Sequence, residues 1–137
     1  YSDELTIVRN TTSAYEVALN SIISKSEILE FQNLIRKVPV TDNVMKYAVT
    51  LAAKTRPNTK LAPQVANQYL KWGAGPRASQ YLVLGAKTHA ALNGRYSPDI
   101  DDVKAVAVSI LRHRIIKNYK AEAENISVDD IINQLMK

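Results

Sequence analysis

Residues 73–77 read Gly-Ala-Gly-Pro-Arg and lead into a helical pattern, so a tight turn delivers the guanidinium of Arg77 to the first turn of a helix. That end of a helix carries partial positive charge and favours acidic side chains, which makes an arginine there mildly unfavourable by itself. Two readings stay open on these residues alone. Arg77 either extends into solvent from the loop, or shares the site with an anion such as a phosphate, bound by guanidinium and helix end together. Pro76 suits the first helical position, and Gly73 and Gly75 on either side of Ala74 are expected to let the backbone turn tightly.

No second group of residues assembles into a catalytic set. The chain has no cysteine and only two histidines. His89 falls inside an apolar helix, where a hydrogen-bonded core imidazole is expected. His113 stands between Arg112 and Arg114, surroundings that oppose a cationic metal. A transition-metal site is therefore not expected. Asp99, Asp101 and Asp102 lack the glycine and distal glutamate of a calcium loop and are read as acidic residues loading the positive end of a helix. Neither a G-x-S-x-G elbow nor a G-x-x-x-x-G-K-[ST] phosphate loop occurs. The basic cluster Arg112, Arg114, Lys117 and Lys120 could follow a phosphate backbone. Tyr119 is the only ring beside it, however, and Glu122 and Glu124 follow at once. A solvated face or a protein interface, with Arg112 and Arg114 as its residues, is the expectation.

The elements that must position these residues are helical almost throughout, so the expected fold class is all-α, a small helical bundle. Ile28, Phe31, Ile35 and Val38 recur at steps of three and four after Ser24 and Glu27, which have capping-box spacing. Thr41 is the expected N-cap of a helix with the stripe Val44, Tyr47, Ala48, Leu51 and Ala52. The Arg77 helix is apolar on most sides, through Tyr81, Leu82, Val83, Leu84, Ala86, Ala90, Ala91 and Leu92, and stops at Asn93-Gly94. It should be the central, most buried element. In the next helix Ser97 is the expected cap, Pro98 the first helical residue, and Val103, Val106, Ala107, Ile110 and Leu111 the stripe. Ser127 and Asp130 open a last helix with Val128, Ile131, Ile132, Leu135 and Met136 on one face. Shorter helices are expected around Ser2–Arg9 and Ala62–Trp72, a loop at Pro57–Pro63, and short extended segments in the N-terminal third at residues 14–22 and 38–40.

With 137 residues, 46% hydrophobic and 23% charged, the chain is of a size and composition to fold as one domain over residues 1–137. Nothing approaches the roughly 20 apolar residues of a membrane span. The net charge of +5 permits an anionic partner without requiring one. The chain opens on Tyr1 rather than methionine, as expected of a piece of a longer protein. A cytoplasmic location is the default expectation.

Taken in order, Gly73-Ala74-Gly75-Pro76-Arg77-Ala78, Gly94-Arg95, Asp102-Val103-Lys104 and Ile110-Leu111-Arg112-His113-Arg114 resemble the C-terminal lid of MoxR-type AAA+ ATPases. The family has a G-A-x-P-R-A turn opening a long helix, a G-R turn, a D-V-K helix start and a V-L-R-H-R end. The upstream residues 26–56 look like the segment joining the ATPase core to this lid. Gly75, where many members have serine, and Ile110, where valine is usual, depart from the commonest pattern.

The resemblance implies that Arg77 is the sensor-2 arginine, which reaches the nucleotide γ-phosphate and couples lid position to ATP state, with Gly73, Gly75 and Pro76 forming its turn. It also implies an N-terminal AAA+ core domain that binds ATP and Mg²⁺, and a homo-oligomeric, hexameric, chaperone-like parent with von Willebrand factor A domain partners. These 137 residues alone would then bind neither cofactor and hydrolyse nothing. A free-standing basic module binding nucleic acid, or a helical protein–protein adaptor, are the alternatives.

Overall fold

The structure, a computed structural model, describes residues 1–14 and 20–137 and divides them into two compact units, Tyr1–Glu30 and Phe31–Lys137. The expected extended segment at residues 14–22 falls largely on residues 15–19, outside the described part. In the first unit, α1 (Ser2–Thr12) buries nothing, and the hydroxyls of Thr6, Thr11 and Thr12 bond back to carbonyls four residues earlier. α2 (Lys25–Lys37) begins there with the expected capping box. The Glu27 amide donates to Ser24 Oγ at 3.2 Å, and the Ser24 amide to Glu27 Oε2 at 2.8 Å.

The second unit is built on α3 (Asp42–Lys54), α5 (Pro76–Leu92) and α6 (Ile100–Leu111), which pack against one another. α3 buries Val44, Ala48, Leu51 and Ala52 of the stripe expected from its spacing, while Tyr47, the fifth expected member, is only half-buried. Residues 38–40, expected to be extended, form no strand. α4 is shorter than expected, Gln64–Tyr69, because the chain leaves it for β1 (Leu70–Trp72). β1 pairs antiparallel with β2 (Ile116–Lys117), an interaction that no local pattern announced. Asn118 secures this junction. Its amide donates to Tyr69 O at 2.9 Å, its side chain donates to Gln68 O at 2.8 Å, and its Oδ1 caps α7 (Tyr119–Ala123). α8 (Val128–Leu135) opens on the expected Ser127–Asp130 capping box, buries Ile131, Ile132 and Leu135, and packs on α4 and α6.

Three expectations about α5 and α6 are corrected. α5 is not buried on most sides. It buries a single row, Ala78, Leu82, Ala86 and Ala90, while Tyr81 is 48% and Leu92 83% exposed. Its neighbours α3 and α6 can cover only the face between them. α6 is capped by Asp99, not Ser97, and Pro98 lies outside the helix; Asp99 and Asp102 form a reciprocal capping box. Asp102, read as one of three helix-end charges, is buried. At the other end of α5 the expected stop holds. Gly94 takes φ of 70°, which lets the Arg95 amide bond Ala90 O at 2.9 Å and the Gly94 amide bond Ala91 O at 3.0 Å.

Candidate functional site

The turn before α5 is fixed from the end of α3. Thr55 directly follows that helix and is wholly buried. Its hydroxyl donates to Ala52 O at 2.7 Å and accepts the Ala74 amide at 2.8 Å. Arg56 Nε donates to Ala74 O at 2.8 Å. Both backbone groups of Ala74 are thereby satisfied, and its methyl is buried in the core.

The two glycines of the turn differ in what they do. A Cβ on Gly73 would lie 2.4 Å from Thr55 O and 2.5 Å from Arg56 Cα, so only glycine permits this approach of two backbones. A Cβ on Gly75 would meet nothing within 4 Å, and its φ of −80° suits any residue. The expectation that both glycines serve the tight turn is corrected accordingly. Gly75 is instead the N-cap of α5 and offers no side-chain acceptor to the first amides of that helix. Pro76 occupies the first turn, as expected.

Arg77 stands between two anchored residues, Ala74 and Ala78, both buried, and is itself exposed. No side-chain hydrogen bond or ion pair joins it to another of the described residues. A fully charged, planar donor at an uncapped helix start is suited to an incoming anion with two acceptor oxygens, such as a phosphate. Among the described residues no cluster could hold a metal ion.

The basic cluster is drawn into internal contacts. Arg112 binds Asp129 through two nitrogens, Nε to Oδ1 at 2.8 Å and Nη2 to Oδ2 at 2.6 Å, joining the end of α6 to the start of α8. Arg112 holds the Asp129 carboxyl below the usual carboxylate range by that hydrogen bonding. Arg114 donates to Ile110 O at 2.6 Å and lies over the Tyr81 ring at 4.9 Å. Lys117 pairs with Glu122 at 3.2 Å and Lys120 with Glu124 at 3.8 Å. Each of these four cations therefore has a local partner.

His89 is not a core imidazole: its side chain is 40% exposed, with Nδ1 2.6 Å from Asp102 Oδ1. Sequence reasoning missed Thr55 and Arg56, whose only signal was a polar pair ending an apolar helix. It also missed a groove of about 520 Å³ beside the uncovered side of α5, lined by Met45, Val49, Tyr81, Val83 and Leu84 together with the polar Arg36, Ser79 and Gln80.

The AAA lid domain family model matches residues 63–135. The chain is similar to the chaperone MoxR1 of Mycobacterium tuberculosis, 29% identical over 116 residues, covering 85% of this chain and 31% of that protein. It is similar to the uncharacterized protein YeaC of Bacillus subtilis, 26% identical over 137 residues, covering 99% of this chain and 40% of that one. A crystal structure from Cytophaga hutchinsonii, of a protein described only provisionally as an ATPase, superposes with a TM-score of 0.79 and 35% identity. It covers 98% of this chain and 41% of that one. The chain thus spans less than half the length of each of these proteins.

Proposed function

The chain belongs to the AAA lid domain family, in the form found in MoxR-like ATPases, and on that premise we propose that Arg77 is its sensor-2 arginine. In this reading the guanidinium reaches the γ-phosphate of ATP held by the core domain and couples the lid's position to nucleotide state. The observation that carries it is the contrast at the turn, where anchored backbone on both sides of Arg77 leaves its side chain exposed and without a partner among the described residues. A preorganised cation aimed at developing phosphoryl charge lowers the barrier because it need not reorganise during the reaction.

Residues 1–137 form the lid with its N-terminal connecting helices, and the uncovered apolar side of α5 faces the core domain. That core supplies the phosphate loop, the Mg²⁺ ligands and the remaining phosphate contacts. The parent is a cytoplasmic, hexameric, chaperone-like ATPase that works with von Willebrand factor A domain proteins. The 137 residues by themselves hydrolyse no ATP.

The test is made in the full-length ATPase. Arg77→Ala, at an exposed position, leaves the lid folded but lowers ATP turnover by about one to three orders of magnitude. Arg77→Lys restores little, because an ammonium keeps the charge and loses the two-donor fork. If Arg77 acts on a neighbouring subunit, mixing Arg77→Ala subunits with subunits carrying a dead phosphate loop regenerates some active sites. Turnover of Arg77→Ala hexamers equal to wild type overturns the assignment.

A further inference from the structure

Resting on the sensor reading of Arg77, we infer that Thr55 and Arg56 are positioning residues for it: the end of α3 latches the Gly73–Gly75 turn and so sets where the guanidinium stands. Three separate contacts make the latch. The Thr55 hydroxyl holds the Ala74 amide at 2.8 Å, Arg56 Nε holds the Ala74 carbonyl at 2.8 Å, and Gly73 lies flat on the Thr55 carbonyl with no room for a Cβ.

The latch is stiff because the Thr55 hydroxyl is used twice. It also donates to Ala52 O at 2.7 Å, so its proton and one lone pair are both committed in a fully buried position. Leaving those partners unpaired costs more than an exposed hydrogen bond would. Between Ala74 and Arg77 the freedom left is that of Gly75, whose carbonyl accepts the Ala78 amide at 3.0 Å. Pro76 fixes its own φ, and Ala78 is buried at the first turn of α5. A movement of α3 relative to α5 is therefore passed to Arg77 rather than absorbed in the turn. Arg77 is exposed and has no side-chain bond to another of the described residues, so its aim depends on this backbone. A misplacement of about 1 Å in such a group can cost on the order of a hundredfold in rate.

The experiment is a double-mutant cycle in the full-length ATPase, with folding followed by circular dichroism and melting. Thr55→Val keeps the shape and loses both hydrogen bonds. It is expected to lower kcat by about tenfold or more while KM for ATP changes less than about threefold. Thr55→Ser keeps both bonds and is expected to recover most of kcat. Combined with Arg77→Ala, Thr55→Val is expected to slow turnover no further than Arg77→Ala alone, because both changes remove the same contact. Should Thr55→Val fail to fold, Arg56→Met carries the same cycle, since it removes only the bond to Ala74 O. Two folded single variants whose effects multiply in the double overturn the latch and leave the sensor reading standing. An Arg77→Ala enzyme as fast as wild type removes the sensor reading, and the latch's role with it.

Discussion

Arg95 grips the carboxylate of Asp102 with both Nη atoms, Nη1 lying 2.6 Å from Oδ2 and Nη2 close to Oδ1, while its own backbone amide closes α5 on Ala90 O. One residue thus ends one helix and clamps the start of the next. Asp102 is 1% exposed and accepts in addition from the Asp99 amide at 2.8 Å, with His89 Nδ1 2.6 Å away. A buried carboxylate is tolerated when its lone pairs are this fully occupied. The pairing of α5 with α6 therefore has a polar end-clamp on top of its apolar row.

That clamp predicts acid sensitivity. Hydrogen bonding from Arg95, opposed by burial and aided by His89 and the Asp99 amide, holds the Asp102 carboxyl far below its ordinary value. The folded state then binds fewer protons than the unfolded chain at acid pH, so unfolding takes up a proton there. The stabilisation is complete above about pH 5 and is lost as pH falls below about 4 toward the folded value. Asp129 and Glu27 shift in the same direction, so the diagnostic is a difference between proteins. In denaturant titrations Asp102→Asn is expected to be about 2 kcal/mol less stable than wild type at pH 7. The gap should narrow as the pH drops toward 3. A gap independent of pH would show that the carboxylate's charge is not what the clamp uses.

The two glycines of the turn predict opposite results. Gly73→Ala places a methyl group onto the Thr55 carbonyl and is expected to destabilise by about 2 kcal/mol or more, since backbone on both sides must shift. Gly75→Ser adds a cap acceptor in open space and is expected to be neutral or to stabilise by a few tenths of a kcal/mol. Thermal melts of the two variants decide the matter. Equal losses would mean that the turn is not held against α3 as described.

The core of α5 predicts a third outcome. Leu82 and Ala90 are both wholly buried, so Leu82→Asp or Ala90→Asp places an unpaired charge against apolar neighbours. Either is expected to abolish the cooperative unfolding transition at neutral pH and to reduce far-UV circular dichroism. Tyr81→Asp, on the exposed side of the same helix, is expected to leave the fold intact. Unchanged melting in both buried-site variants would refute the assignment of this row to the core.

The features legible in the residues are the ones that local rules govern. The Val44–Ala48–Leu51–Ala52 row, the Ser24–Glu27 and Ser127–Asp130 boxes and the Asn93-Gly94 stop depend on partners within a few positions, and all appear as expected. The turn carrying Arg77 was also visible, because the order of short motifs resembled a family and Pro76 marks a helix start. Tertiary structure decided the rest. Thr55 meets Ala74 across 19 positions, and Leu70 pairs with Lys117 across a longer gap still, distances over which no periodicity carries information. Whether Asp102 faced water or the core depended on Arg95 folding back from the end of α5. Which side of α5 was buried depended on where α3 and α6 lay, since an apolar sequence names every side that could be covered and only packing selects the one that is.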